Sequence, residues 1–194
     1  MTKSISIQLR ILKFKEGDAM KTAYKLFRYK GGRLYPLYVF ANQEIHVGAY
    51  LVAEEGERTA DGKVKSKLGK LAYRPGWHLT EYPLANHIGK KGSDGKLYQA
   101  PDTVWCEVEY EDTRDYNEEA QKKSKIARNQ CLKTVPVGGW YWYKTNASAK
   151  VRWLISGAIV VKRILTRDEV ARICRDHGFE PQMHWDEYLE MHTK

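Results

Sequence analysis

The sequence predicts an α+β fold, in which a curved, mainly antiparallel sheet is accompanied by few peripheral helices. Three observations favour this class. Segments in which apolar and polar residues alternate, the period of a half-buried strand, recur along the chain. Glycine-containing turns lie between several of these segments. A chain of 194 residues is also long enough to bury a substantial core.

The N-terminal residues look separate from the rest of the chain. Residues 4–14 alternate and predict a strand, which a charged, glycine-containing tetrapeptide then interrupts. Met20 opens a second start-like stretch. We therefore expect an N-terminal appendage over residues 1–19, a single α+β domain over residues 20–178 and a C-terminal tail over residues 179–194 that docks as a short helix.

A β-hairpin is predicted over residues 23–29 and 34–40. Gly31 and Gly32 between them can adopt the positive φ that a tight turn requires. Pro36 places the second strand at an edge or a bulge, because proline has no N–H for a strand ladder. The next stretches are less regular: residues 45–54 are ambiguous, and residues 55–70 and 90–102 are interpreted as loops.

Residues 103–110 alternate again and predict a strand of the sheet. Its apolar face carries Val104, Cys106, Val108 and Tyr110, and its other face carries Trp105, Glu107 and Glu109. Three further strands are predicted over residues 138–143, 151–155 and 158–165, with a hinge at Ser156-Gly157.

Helices are expected mainly at the C-terminal end. Thr166 and Glu169 have the spacing of a capping box, which predicts a helix that runs to about His177 and stops at Gly178. Residues 112–133 are polar and are expected to be partly helical.

The formal net charge of +9 and the isoelectric point near 9.3 favour a polyanionic or phosphate-bearing partner. Two basic runs carry much of this charge, and an acidic block between them could neutralise both. The first run is Lys63, Lys65, Lys67, Lys70 and Arg74; the second is Lys122, Lys123, Lys125, Arg128 and Lys133; the acidic block is Glu107, Glu109, Glu111, Asp112, Asp115, Glu118 and Glu119.

Cysteine usage and hydropathy indicate a cytoplasmic protein. Cys106, Cys131 and Cys174 are odd in number and lack the spacing of a disulfide framework or a zinc site, so we expect no metal. No stretch approaches the roughly 20 apolar residues of a membrane span, so we expect no membrane partner. The oligomeric state is left open.

Residues 73–89 are the strongest candidate for chemistry, because a turn, several aromatic rings, two histidines and an arginine lie close together. Pro75 and Gly76 predict a turn that leads into a short extended segment, on which His78 and Thr80 share one face. The next residues predict a short helix that begins at Pro83, with Leu84, His87 and Ile88 at helical spacing, so that His87 could approach His78.

Each of these residues also has a purely structural interpretation. Trp77 and Leu79 are typical core residues, His78 is equally well explained as a hydrogen-bonded structural histidine, and His87 as a packing or surface residue. Arg28 could pair with an acid. The aromatic run at 140–143 could stack single-stranded bases or simply bury one face. Glu107 and Glu109 could act as an acid/base pair or as metal ligands, or form a solvated face.

The common nucleotide and hydrolase motifs are absent from the sequence: there is no P-loop, GxGxxG, HExxH or GxSxG. A different order of short motifs remains. They are Leu26-Phe27-Arg28, Gly76-Trp77-His78-Leu79-Thr80 followed by Pro83-Leu84-Ala85, Val104-Trp105-Cys106-Glu107-Val108, and Val160-Val161-Lys162-Arg163-Ile164-Leu165.

Over residues 22–165 this order resembles the ADP-ribosyltransferase superfamily, including its transfer-RNA 2'-phosphotransferase branch. The chain also resembles short bacteriophage and prophage proteins that carry Ala-Tyr-Lys-Leu-Phe-Arg and Arg-Pro-Gly-Trp-His. If it is phage-encoded, we expect it in the cytoplasm of a bacterial host. The superfamily resemblance implies an ADP-ribosyltransferase-like sheet and NAD or another nucleotide as ligand. An active protein would be an NAD-dependent ADP-ribosyl or RNA 2'-phosphate transferase; an inactive one would only bind.

The resemblance also implies roles for individual residues. Arg28 would contact a pyrophosphate, His78 the nicotinamide ribose, and Thr80 would hydrogen-bond nearby, with Arg28 and His78 the candidate catalytic residues. The other candidate cofactor-binding residues are Arg74, Gly76, Trp77 and His87. The late strand departs from the family, since 152–155 contains no Glu, and Glu107 or Glu109 could replace it only in a changed topology.

The alternative hypothesis is a non-enzymatic basic protein of a phage or mobile element. It would bind nucleic acid or a host protein, in an anti-defence or regulatory role, and the two basic runs would carry the contacts.

Overall fold

The computed structural model describes residues 19–147, 149 and 151–193, so the strand predicted over residues 4–14 lies outside the described residues. Strands and helices are numbered in chain order. The strands are β1 Met20–Lys30, β2 Arg33–Tyr35, β3 Tyr50–Val52, β4 Val64–Ser66, β5 Gly69–Leu71, β6 Trp77–Thr80, β7 Lys90–Lys91, β8 Leu97–Tyr98, β9 Thr103–Glu111, β10 Arg114–Asp115, β11 Gly139–Tyr143, β12 Trp153–Ser156 and β13 Ala158–Ile164; the helices are α1 Asn117–Lys122, α2 Arg167–Asp176 and α3 Trp185–His192.

Nine strands form one open sheet in the order β10-β11-β12-β6-β1-β9-β13-β3, with β2 paired to β1. All neighbours are antiparallel except β10 and β11. The predicted α+β class with a mainly antiparallel sheet and few helices is therefore confirmed. The two stretches interpreted as loops contain the separate hairpins β4–β5 and β7–β8, whose strands of two or three residues are too short to show an alternating pattern.

The predicted hairpin is formed by β1 and β2. Gly31 and Gly32 have φ values of 57° and 78°, the left-handed conformation that a two-residue hairpin turn demands at both positions. The second strand is shorter than expected and ends at Tyr35, because Pro36 cannot donate to the ladder.

The sheet is strongly curved, and one short connection shows why. Gly157 alone joins β12 to β13, yet β6, β1 and β9 lie between these two strands in the sheet. The Trp77 indole Nε1 on β6 donates to the Leu51 carbonyl on β3 at 2.9 Å. In a flat sheet strands four places apart would be roughly 19 Å from each other. The sheet is therefore curled strongly enough to bring β6 and β3 into contact across its inner face, through Trp77.

Buried hydrophobic clusters lie on both faces of the sheet. The inner core includes Phe27, Leu79, Val108 and Ile159, all fully buried. On the outer face Trp105, which shares the polar side of β9 with Glu107 and Glu109, is buried beneath α2. A second outer cluster packs around Tyr141, Tyr143 and Ile155 beside α1.

The helix predicted to follow Thr166 is present as α2. In α2 the Thr166 hydroxyl accepts from the Glu169 amide at 3.2 Å, and the Glu169 carboxylate accepts from the Thr166 amide at 2.8 Å, which completes the capping box. The tail docks as α3 through the buried Tyr188.

The short helix predicted to begin at Pro83 is wrong. Residues 81–89 form bends and turns, in which the Ile88 amide donates to the Ala85 carbonyl as a single turn. Leu84 and Ala85 are both buried in the outer cluster with Trp105. These two adjacent residues pack together against α2, and this packing favours a turn over the predicted helix.

Within the described residues no helix is both long and apolar enough to cross a membrane.

Replacing Trp77 with Phe tests the closure of the curved sheet. The substitution removes the indole donor to the Leu51 carbonyl, and one such hydrogen bond contributes about 0.5–1.5 kcal/mol. We expect the free energy of unfolding, measured with urea, to fall by that amount. Trp185→Phe is the matched control, because the Trp185 indole N–H makes no hydrogen bond within the described residues. Equal losses in both variants would contradict the closure.

Candidate functional site

The predicted site residues lie on opposite faces of the sheet. On β6 the side chains of His78 and Thr80 share the outer face, as the alternation predicted, whereas Trp77 and Leu79 belong to the inner core. Arg28 is also on the outer face, at the far end of β1. Trp77 therefore supports the fold and does not line a cavity with His78.

His78 is held by its own loop. Its Nε2 donates to the Arg74 carbonyl at 2.9 Å, and its ring meets Trp153 edge to face, with 6.2 Å between centroids. Burial, together with the smaller effect of the neighbouring charges of Lys25 and Arg74, lowers the pKa of His78 to about 4, although the bond to the Arg74 carbonyl opposes the shift. The imidazole is consequently neutral at physiological pH.

The residues around His78 are likewise bonded within the protein. The Thr80 hydroxyl is buried and donates to the Tyr82 carbonyl at 2.5 Å. Arg74 donates to the Arg128 carbonyl at 3.0 Å and lies over the Tyr143 ring. These contacts stabilise the turn and the outer face around β6.

Gly76 and His87 complete the predicted set. Gly76 forms the turn before β6 with φ at 134°, directly against Ile155. His87 meets the Trp153 ring at 5.4 Å, perpendicular to it. The structure thus brings His78 and His87 to one tryptophan, although the helix expected to carry His87 is absent.

Arg28 lies in a separate concavity of about 490 Å³ at the β1–β2 hairpin. Arg28 is paired across the hairpin with Tyr35, and Lys30 with Arg33, so all four side chains lie on one face. Asn42 and the Gly31 turn complete the wall. We refer to this feature as the hairpin concavity.

Positive charge exceeds negative charge in the hairpin concavity. Arg33 pairs with Glu44 at 3.0 Å, whereas Lys30 has no hydrogen-bond or ion-pair partner within the described residues. Arg28 donates through Nη2 to the Ala41 carbonyl, and its Nε is buried without a partner. Directly opposed cations such as Lys30 and Arg33 repel each other, and a bound anion would relieve that repulsion.

Lys25 is a partly buried, titratable residue that the sequence did not single out. Lys25 lies on the inward face of β1 between Ala23 and Phe27, and its ammonium group is 5.2 Å from the Trp77 ring. Burial lowers its pKa to about 8. Its Nζ donates to the His78 carbonyl at 3.0 Å, which joins β1 to β6 where their backbone pairing is confined to Tyr24 and Thr80. A lysine at an inward position of an alternating strand was the available signal.

The candidate replacements for the missing late-strand acid are engaged elsewhere. Glu107 pairs with Arg163 and Glu109 with Lys162, each at 3.0 Å, and β1 separates their strand from β6. Both carboxylates therefore stabilise the contact between β9 and β13.

The acidic block neutralises fewer lysines of the basic runs than its sequence position suggested. Asp112 pairs with Lys21 and Glu119 with Arg114, and Glu118 pairs with Lys122 of the second run. Lysines of the first run use local acids instead: Lys63 and Lys70 contact Asp61, and Lys65 contacts Glu57.

Among the described residues no group of three or more His, Cys, Asp and Glu side chains is placed to hold a metal ion. The three cysteines are buried and unpaired.

An NMR titration of the His78 imidazole tests the structural role of this residue. We expect a pKa of about 4 in the folded protein against 6.5 for the unfolded chain. The unfolded state therefore binds the proton more tightly, so the free energy of unfolding falls as the pH drops from about 6.5 to about 4. His78→Gln, which keeps an N–H donor, should flatten this dependence. A folded-state pKa at or above 6.5 would refute the assignment.

No protein-family model, no curated protein and no solved structure matches the chain. Its function is therefore inferred from the residues themselves.

Proposed function

We propose that the protein binds a nucleotide through its phosphates at the hairpin concavity, with NAD and ADP-ribose among the ligands of suitable chemistry. The observation that supports this proposal most strongly is the convergence of Arg28, Lys30 and Arg33 on one face of a hairpin, where Glu44 is the one counter-ion among the described residues. A diphosphate supplies the missing negative charge.

The chemistry of the individual side chains fits a phosphate group. Arginine presents a planar fork of N–H donors that matches phosphate oxygens, and lysine adds a mobile point charge. Tyr35 lies beneath Arg28, with 5.7 Å from the guanidinium carbon to the ring centroid.

The two parts of the predicted NAD site differ in how well their side chains suit the ligand group assigned to them. The hairpin concavity suits the diphosphate that the resemblance assigned to Arg28. His78 and Thr80, assigned to the nicotinamide ribose, already donate to the Arg74 and Tyr82 carbonyls. We therefore confine the proposal to binding and derive no transfer step.

A second candidate is non-enzymatic binding of nucleic acid. Exposed cations of the two basic runs, including Lys67 and Lys125, have no side-chain partner within the described residues. Such cations favour polyanions through release of counterions, and the affinity would fall steeply with salt. A host protein would be the remaining partner class if neither nucleotide nor nucleic acid binds.

Calorimetry with ADP, ADP-ribose and NAD tests the proposal. In Lys30→Ala/Arg33→Ala we expect affinity at least about tenfold weaker than in the unaltered protein, because each charge-assisted hydrogen bond contributes about 1.5–3 kcal/mol. Arg28→Lys keeps the charge but loses the fork and should also weaken binding.

The matched control is Lys67→Ala/Lys125→Ala, which removes the same charge from exposed positions outside the concavity. It should bind ADP normally, whereas its affinity for RNA should fall if the second candidate holds. Equal losses of ADP affinity in both double variants, or no heat with any of these ligands or with RNA 2'-phosphate, would overturn nucleotide binding at the hairpin.

A further inference from the structure

A second concavity lies at the open margin of the inner face, away from the hairpin. It measures about 270 Å³, below the roughly 300–1,000 Å³ of sites for drug-sized ligands, so it suits a single ring system. Ala23 and Leu154 contribute apolar surface, Tyr110 and Trp142 contribute aromatic rings, and Glu81 contributes a carboxylate. We call this feature the aromatic cleft.

The rings of the aromatic cleft belong to a continuous aromatic surface. On β11 Tyr141 and Tyr143 are buried in the outer cluster, whereas Trp140 and Trp142 lie on the inner side and stay partly exposed. The Trp140 ring lies 5.7 Å from Trp142 and 6.0 Å from Tyr110. A flat ligand can stack on such a surface, since every nucleobase presents a π-face.

The carboxylate of the cleft is only loosely engaged. Arg152 approaches Glu81 at 3.3 Å and 3.5 Å, longer than the 2.7–3.2 Å usual for N–H···O hydrogen bonds. The Glu81 side chain is 35% exposed. The Arg152 guanidinium also lies 3.8 Å from the centre of the Trp142 ring, so ring, cation and carboxylate form one assembly.

The edge chemistry of this assembly selects among planar ligands. A carboxylate accepts two hydrogen bonds side by side and donates none when ionised. Among the common bases, guanine presents two adjacent N–H donors, at N1 and N2, beside the O6 acceptor. Adenine presents an acceptor at N1, which a carboxylate repels. Lys21, which lines the cleft, can donate to O6.

We propose that the aromatic cleft binds a guanine base, which displaces the Arg152 guanidinium, stacks against Trp142 and donates through N1–H and N2–H to the Glu81 carboxylate. The free guanosine nucleoside is the probe, because it has no phosphate and does not engage the hairpin concavity. The site is therefore independent of the phosphate site proposed above.

Titration of the full chain with guanosine and with adenosine, followed by NMR chemical shifts of the tryptophan indole N–H groups, tests the proposal. We expect guanosine to bind at least about tenfold more tightly than adenosine. Glu81→Gln should weaken guanosine binding by about tenfold or more, because one of its two edge positions becomes a donor. Trp142→Leu removes the stacking ring and should also weaken binding.

Glu118→Gln is the matched control, because Glu118 also pairs with a single surface cation, Lys122, and does not line the cleft. Its guanosine affinity should equal that of the unaltered protein, as should that of Lys30→Ala/Arg33→Ala. Equal affinity for adenosine, unchanged affinity in Glu81→Gln, or no guanosine binding at millimolar concentration would each overturn the assignment.

Discussion

The hydrogen bond from the Trp77 indole to the Leu51 carbonyl spans the inner face of the sheet, and the other features of the structure depend on the closure that it marks. Because Gly157 is the only residue between β12 and β13, the three strands that separate them in the sheet must curl around a common core. Closure buries the inner side chains and leads the chain directly into α2, and the hairpin concavity and the aromatic cleft lie at margins of the sheet.

The residues that stabilise the sheet differ from those proposed to bind ligands. His78 and Lys25 stabilise the sheet, since the imidazole bonds to the Arg74 carbonyl and the ammonium group joins β1 to β6. Burial lowers the pKa of both groups, and lowered pKa values of this kind also occur in active sites. Here each side chain has a structural role, because it donates a hydrogen bond to a backbone carbonyl. The hairpin concavity and the aromatic cleft have the opposite character, with charges or rings that remain available to a ligand.

Local patterns in the sequence predicted the elements that depend on neighbouring residues. The β1–β2 hairpin, β9 and the capped helix α2 follow from glycine turns, alternation and the Thr166–Glu169 spacing. The curl, the burial of Trp105 beneath α2 and the turn after Pro83 depend on contacts between residues far apart in the chain, which no local period contains. For the same reason the sequence grouped Arg28 with His78, although their contacts in the structure have no residue in common.

The central claim is that the ligand site lies at the β1–β2 hairpin, while the histidine motif is part of the scaffold. The most direct measurement is a two-dimensional ¹H–¹⁵N NMR titration with ADP. The account predicts that the amide signals of Gly31 and Gly32 shift with ADP concentration, because they form the turn of the hairpin concavity, while those of His78 and Thr80 stay in place. Shifts at His78 and Thr80 with unchanged hairpin glycines would contradict it.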